Sequence, residues 1–197
     1  MRHYILILVF AFISCTKEQQ HQKTIVLQPL GDFKTEQAKT VYNKIQAINP
    51  NVVLRQNIPF PEQAYYEPGN RYRADSIIRI IKNNIGKDSV IVGLSNRDIS
   101  VTKGKIKDWG VMGLGYHPGK SCVVSDFRLS KRTKEIQFYK VVLHELGHTE
   151  GLPHCATKTC LMRDAEGKNP IDEEKDFCLK CKNYLIGKGW KLTLSNS

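Results

Sequence analysis

The order of the predicted elements indicates an α/β fold in which a mixed, twisted sheet packs on helices. Two observations predict it. Apolar runs of strand length alternate along the chain with longer segments whose apolar residues recur at helical spacing. The chain has 197 residues, of which 41% are hydrophobic and 25% are charged, so it is long enough for one compact domain with a real core. This composition excludes a fibrous, a wholly disordered or a multi-span membrane protein.

The first elements form a β-α-β unit. Residues 24–28 are mostly apolar and begin with three β-branched side chains, which predicts a strand that Pro29 ends. Residues 34–48 carry apolar side chains at three- and four-residue intervals, which predicts a helix. The short run at residues 52–55 predicts the second strand.

The middle of the chain predicts a second helix and a buried strand. Residues 73–85 place isoleucines at helical spacing, and Gly86 ends that helix. Residues 89–94 are almost continuously apolar, as expected for a strand covered on both faces.

The last predicted strands span residues 109–115 and 121–127, joined by a turn in which His117 is expected to be a simple turn residue. Apolar residues at helical spacing over residues 134–149 predict the third helix.

The N-terminus predicts export and lipid attachment. Residues 4–13 are apolar but too few for a membrane-spanning helix, which needs about 20, so they fit a signal peptide. Ser14 and Cys15 follow and resemble the bacterial lipobox, which implies that residues 1–14 are removed and that Cys15 carries lipid. Residues 15–23 would then be a flexible tether. A plain signal peptide and an uncleaved anchor are the alternatives.

The net charge of +11, from 30 basic and 19 acidic residues, is spread along the chain. It comes with no aromatic-and-basic motif of a nucleic-acid-binding module, so no nucleic-acid partner is expected. Such a surface is attracted to anionic lipid headgroups. We expect a monomer in the cell envelope, held at the periplasmic or outer surface by its lipid.

The strongest functional signal is an H-E-x-x-H motif at residues 144–148, near the end of the third predicted helix. Positions four apart differ by about 40° around a helix, so His144 and His148 can bind one metal ion. Glu145 projects beside them, where it can accept a proton from water.

A glycine and a third histidine follow this motif. Gly151 allows the chain to leave the helix in a left-handed conformation and to turn back. That turn would bring His154 to the same metal.

Four cysteines follow directly, in the order C-x4-C and then C-x2-C, which indicates a tetrahedral zinc site. Because an exported chain meets an oxidising compartment, a pair of disulfides is the alternative. The four residues are Cys155, Cys160, Cys178 and Cys181. Because His154 and Cys155 are adjacent, we expect order in the cysteine site to fix the direction of His154.

Together these residues resemble the archaemetzincins, a family of metzincin-like zinc metallopeptidases, over about residues 24–185. The resemblance implies two zinc ions per chain, with the catalytic one on His144, His148 and His154. The second, structural zinc would lie in the four-cysteine segment 155–181, within a single metzincin-like domain of residues 24–197.

The resemblance also implies a role for two further side chains. Met162 would form an apolar floor beneath the catalytic zinc, the Met-turn. Glu145 would act as the general base in zinc-dependent hydrolysis of a peptide bond by activated water, and a strand above the cleft, at residues 109–115, would align the peptide substrate.

Two other functions remain open from the sequence. The first is a non-catalytic, zinc-stabilised module that binds peptides or proteins on the cell envelope. The second is a tethered redox protein that uses Cys178 and Cys181. The presence of Glu145 argues against the former, since a binding module needs no carboxylate beside the water, and the complete histidine motif argues against the latter.

Overall fold

The structure is a computed structural model that describes residues 23–194. Within that range the chain forms nine strands and four α-helices. The strands are β1 (Thr24–Pro29), β2 (Val52–Leu54), β3 (Tyr65–Tyr66), β4 (Arg71–Arg73), β5 (Ser89–Ser95), β6 (Ile99–Lys103), β7 (Ile106–Val111), β8 (Gly113–Gly115) and β9 (Ser121–Ser125). The helices are α1 (Thr35–Ile48), α2 (Ala74–Ile81), α3 (Lys134–Glu150) and α4 (Leu179–Gly187). The predicted α/β class is confirmed. The signal peptide, Cys15 and most of the tether lie outside the described residues.

The main sheet has five strands in the order β2-β1-β5-β9-β8. β1, β2, β5 and β9 are parallel, and β8 runs antiparallel to β9 at the edge. Successive residues of β5 face opposite sides, so that Val90 and Val92 pack with α1 and α3, whereas Ile91 packs with α2. Burial on both faces explains why β1, β5 and β9 are continuous apolar runs.

A second sheet of four strands, in the order β3-β4-β6-β7, adjoins the first. The prediction of one strand over residues 109–115 is wrong, because this segment divides at Met112. β7 pairs with β6 in the second sheet, and β8 pairs with β9 in the first. Each half pairs with the strand next to it in the chain, β7 with the preceding β6 and β8 with the following β9, so the predicted span joins strands of two separate hairpins.

The helices agree with the sequence more closely. α1 and α3 match their predicted spans to within one residue at each end. α2 stops at Ile81 and continues as a 3₁₀ turn over Lys82–Asn84, so the prediction of a helix through residue 85 is too long. α4, which begins directly after Cys178, is not predicted by the sequence analysis.

The segment after α3 has little regular structure before α4, yet it encloses part of the core. Leu161, Met162, Ile171 and Phe177 are buried there against α3 and α4. The Phe177 ring also meets Trp190 edge-on, at 6.5 Å between centroids. Over residues 23–194 no helix is both long enough and apolar enough to span a bilayer.

Candidate metal centre

The end of α3 turns the chain back on itself. Gly151 has φ 103°, in the left-handed region that a side chain disfavours, so this glycine is needed for the turn. The amide of Leu152 donates to the carbonyl of Gly147 at 2.9 Å and closes the helix. The reversal carries His154 back over the last turn of α3.

The three histidines predicted from the motif converge on one point. One ring nitrogen from each of His144, His148 and His154 lies within 4.8 Å of the others. The Nε2 atoms of His144 and His148 are 3.0 Å apart. Their Nδ1 atoms face the backbone carbonyls of Leu161 at 2.6 Å and Leu152 at 2.8 Å, respectively.

These contacts fix the tautomers of two rings. A carbonyl oxygen only accepts, so Nδ1 of each ring carries the proton and Nε2 presents a lone pair. Burial and the neighbouring His148 lower the pKa of His144 to about 4, and burial also lowers the pKa of His148. Both rings are therefore neutral near pH 7, which is the form that binds metal.

This donor set fits zinc. Two unprotonated nitrogens 3.0 Å apart repel each other unless a cation lies between them. Zn–N bonds of about 2.0–2.1 Å in a tetrahedron place adjacent nitrogens about 3.3 Å apart, close to the observed distance.

Glu145 lies against the edge strand β8. Its side chain is buried, and a Cβ atom added at Gly113 would lie only 2.5 Å from its Oε1 atom. A Cβ added at Gly115 would lie 3.2 Å from Oε2. Glycines at both positions therefore make room for the carboxylate. Burial raises the pKa of Glu145 to about 8, which a cation beside it would oppose.

Met162 lies directly beneath the H-E-x-x-H segment. It is fully buried, and a Cβ added at Gly147 would lie 2.5 Å from its sulfur. The carbonyl of the preceding residue, Leu161, is the one that orients His144. The segment around Met162 thus supports the histidine site both by packing and by a hydrogen bond.

The four cysteines also converge, next to the same segment, since the amide of Met162 contacts the sulfur of Cys160. Their sulfur atoms all lie within 4.8 Å of one another, and Cys155 and Cys178 are 3.7 Å apart. The amides of Met162 and Cys178 point at the sulfur of Cys160, at 3.5 and 3.3 Å.

The spacing of these sulfurs fits zinc rather than disulfides. All four cysteines are free thiols, and 3.7 Å is far longer than the S–S bond of about 2.05 Å. Zn–S bonds of about 2.3 Å in a tetrahedron place adjacent sulfurs about 3.8 Å apart. Burial raises the pKa of Cys160 to about 11, so a cation is needed to favour its thiolate.

The histidine site opens into a cavity of about 820 Å³. One wall is the segment from Trp109 to Gly115, which includes the edge strand β8, and the second is the last half of α3. The loop over residues 163–169 forms the third wall. The cavity is large enough for several residues of an extended peptide.

Two side chains at this cavity lie closer to the three histidines than the sequence predicts. His117, expected to be only a turn residue, places its ring 5.6 Å from that of His148. Asp164, expected to solvate a loop, places Oδ2 3.4 Å from Nδ1 of His154. The position of Asp164 two residues after Met162 is the sequence feature that could have indicated its place beside the histidines.

The α/β fold, the three convergent histidines and the carboxylate beside them define a zinc metallopeptidase. A family model described as Peptidase family M54 matches residues 25–186. The chain belongs to that family, and the predicted archaemetzincin resemblance is confirmed.

The curated relatives are archaemetzincins. That of Halobacterium salinarum is 29% identical over 172 residues, which cover 80% of this chain and 96% of the relative. The archaemetzincin of Methanocaldococcus jannaschii is 25% identical over 175 residues, covering 84% of this chain and 94% of the relative.

Solved archaemetzincin structures share the fold. The crystal structure from Archaeoglobus fulgidus, complexed with malonate, has a TM-score of 0.70 and 25% sequence identity, covering 82% of this chain and 99% of that one. The structure from Methanopyrus kandleri has a TM-score of 0.71 at 22% identity, covering 88% and 98%.

Proposed function

We propose that this chain hydrolyses peptide bonds with a catalytic zinc held by His144, His148 and His154, and with Glu145 as general base. The observation that carries the proposal is the meeting of two neutral imidazole nitrogens at 3.0 Å beside a carboxylate that lines the open cavity. A non-catalytic binding site would need neither the carboxylate nor the glycines that make room for it.

Zinc, when bound, supplies a Lewis acid that polarises the scissile carbonyl and lowers the pKa of water. The residues of the chain orient the metal ligands and transfer the proton. The carbonyls of Leu152 and Leu161 hold two imidazoles in the metal-binding tautomer. Glu145 takes the proton of the attacking water and later delivers it to the leaving amide nitrogen.

The edge strand β8 is the proposed platform for the substrate. One side of β8 is paired with β9, and its other side is the free edge of the five-stranded sheet. An extended peptide can add to such an edge by main-chain hydrogen bonds, whatever its side chains. Gly113 and Gly115 leave Glu145 within reach of the peptide bond that lies over them.

A second, structural zinc on the four cysteines completes the proposal. The amide of Cys155 donates to the carbonyl of Met162 at 2.7 Å, which closes the loop over residues 155–162 that contains the first cysteine pair. This loop carries Leu161, whose carbonyl orients His144, and it begins next to His154. A zinc that fixes the loop would therefore also fix two ligands of the catalytic centre.

The test compares Glu145→Gln with the parent enzyme, both loaded with zinc, on a mixed-sequence fluorogenic peptide library. We expect kcat/KM to fall about 10²–10⁴-fold for the cleaved peptides while the zinc content stays at two per chain. Glu135→Gln, at an exposed position in the first turn of α3, is the matched control and should keep full activity. Equal rates for the parent and Glu145→Gln would overturn the role of Glu145.

We also propose that the chain is a monomeric lipoprotein of the cell envelope, attached through Cys15. The sequence supports this proposal by the apolar residues 4–13 and the Ser14-Cys15 step. Mass spectrometry of the N-terminal peptide would show diacylglycerol on Cys15, and Cys15→Ser would release the protein from membranes. Light scattering would show one chain per particle.

A further inference from the structure

Six lysines meet at one end of the main sheet, where the parallel strands begin. β1, β5 and β9 start together there, because Thr24 is in register with Ser89, and Ile91 with Ser121. Three of the lysines stand just before these strands, one follows α2, and two follow α4. This lysine face consists of Lys23, Lys82, Lys87, Lys120, Lys188 and Lys191.

Contacts from neighbouring elements place the three lysines that follow α2 and α4 at the same end. Lys82 lies over the ring of Tyr116, 5.3 Å from its centroid, and the amide of Tyr116 bonds to Ser121 at the start of β9. Lys188 lies over the ring of Tyr184, whose hydroxyl donates to the carbonyl of Glu150. The amide of Lys191 donates to Ile48, at the end of α1.

The charge of this face is largely uncompensated. Lys82, Lys87, Lys120, Lys188 and Lys191 are exposed, and none of them forms an ion pair within residues 23–194. Asp88 is the exposed carboxylate beside them.

The opposite end of the sheet is different. There Asp32 pairs with Arg97 at 3.2 Å and Asp126 with Lys134 at 3.4 Å. These pairs compensate part of the charge at that end, where the exposed Lys34, Lys131 and Arg132 form no ion pair in the described chain, whereas at the lysine face only Lys23 is paired.

The chain also enters the fold at the lysine face. Lys23, the first described residue, pairs with the buried carboxylate of Glu150 at 3.1 Å and so is held against the end of α3. From Cys15 to Lys23 a chain can reach at most about 30 Å. If Cys15 is anchored in a bilayer, this end of the domain is held within that distance of the lipid.

We propose that the lysine face binds the anionic surface of a phospholipid membrane. Each lysine near such a surface strengthens binding by roughly fivefold, and the attraction acts within about 8 Å at physiological salt. The turn that carries His117 belongs to this end, with its ring 5.6 Å from that of His148. If the proposed catalytic function also holds, the enzyme would act on polypeptide close to the membrane.

The first test maps the bound face on the full chain, loaded with zinc. It is treated with an amine-acetylating reagent on phosphatidylcholine vesicles, with and without phosphatidylglycerol, and the labelled lysines are identified by mass spectrometry. We expect anionic vesicles to slow labelling of Lys82, Lys87 and Lys120, and added salt to restore it. Lys34 and Lys131, at the opposite end, should label equally on both vesicles.

The second test compares two full-chain variants that each lose three positive charges. One carries Lys82→Gln, Lys87→Gln and Lys120→Gln. The control carries Lys34→Gln, Lys131→Gln and Arg132→Gln, all exposed at the opposite end. The first should weaken binding to anionic relative to neutral vesicles by roughly 10- to 100-fold, and the control by much less.

Several results would overturn the proposal. They are equal loss of binding in the two variants, equal labelling of both ends, or protection of Lys82, Lys87 and Lys120 by a soluble nucleic acid but not by the anionic vesicles. Neither test uses peptidase activity, so their failure would leave the catalytic proposal intact.

Discussion

The histidine centre and the cysteine cluster share one stretch of chain, yet they meet solvent differently. His144, His148 and His154 line a cavity of about 820 Å³. In the cluster, Cys160 and Cys181 are buried and Cys155 and Cys178 are half-buried, and within the described chain none of the four cysteines lines that cavity.

The two sites also differ in what holds their ligands. Backbone carbonyls orient His144 and His148 as neutral rings, so these ligands are ready for metal near pH 7. Burial raises the pKa of the Cys160 thiol, so this ligand is ready only when the cation is present. A site with an open position suits catalysis, whereas a closed site that needs its metal in order to form suits a structural role.

The largest expected effect separates activity from stability. His148→Ala removes a ligand from the open site, and we expect peptide hydrolysis to fall at least about 10³-fold. One zinc per chain should remain on the cysteines. Relative to the parent with its histidine centre free of zinc, the free energy of unfolding should fall by only about 1 kcal/mol, for the lost hydrogen bond to Leu152. Zinc analysis, peptide hydrolysis and thermal unfolding on one preparation measure all three.

The contrast between a catalytic histidine centre and a structural cysteine cluster would be contradicted if His148→Ala unfolded the protein or emptied both sites. It would also fail if the variant kept its activity. Any of these results would mean that the histidine centre is not specifically catalytic or that the cysteine cluster is not specifically structural.

The reverse effect is expected at the closed site. Cys178→Ser leaves three thiolates, so we expect loss of the structural zinc and a fall of about 3–5 kcal/mol in the free energy of unfolding. Because the loop that orients His144 and His154 then loses its constraint, zinc affinity at the histidine centre should fall about 10- to 100-fold. Calorimetric zinc titration and chemical denaturation test the two parts.

Cys122→Ala is the matched control for this variant. Cys122 is fully buried in β9 and belongs to neither cluster, so it should cost only about 1 kcal/mol and leave both zinc affinities unchanged. Unchanged affinity at the histidine centre of Cys178→Ser would show that the sites are not coupled.

Sequence reasoning succeeded where the relevant contacts are local in the chain. The spacing of His144 and His148 fixes their shared face on α3, and Gly151 alone signals the turn that returns His154. The division of residues 109–115 at Met112 is not predicted, because the two halves belong to different hairpins, β6–β7 and β8–β9, while the apolar run continues across Met112. The glycines at 113 and 115 cannot be interpreted from the sequence for a different reason, since they face Glu145, which is distant in the chain, only after the sheet has formed.

A smaller effect is expected from the carboxylate beside the third histidine. Asp164 lies 3.4 Å from Nδ1 of His154, and both side chains are about half exposed. Asp164→Asn keeps the size of the side chain but removes its charge, so we expect zinc affinity at the open site to fall by about tenfold. Asp172→Asn, farther along the same loop, is the control, and an equal fall in both variants would deny Asp164 this role.

An effect of similar size, but dependent on pH, is expected at Glu174, which lies on the loop between the cysteine pairs and lines the cavity of the histidine centre. Burial raises its pKa from 4.5 to about 7. The folded state therefore holds this proton more tightly than the unfolded state, and stability should decrease as pH rises from about 4.5 to 7.

Glu174→Gln removes this cost, so it should stabilise the protein by about 1–2 kcal/mol at pH 8 and by nearly nothing at pH 4.5. Urea denaturation at several pH values measures the difference, with Glu135→Gln as the exposed control. A pH-independent change in Glu174→Gln would show that the gain comes from packing and not from the buried charge.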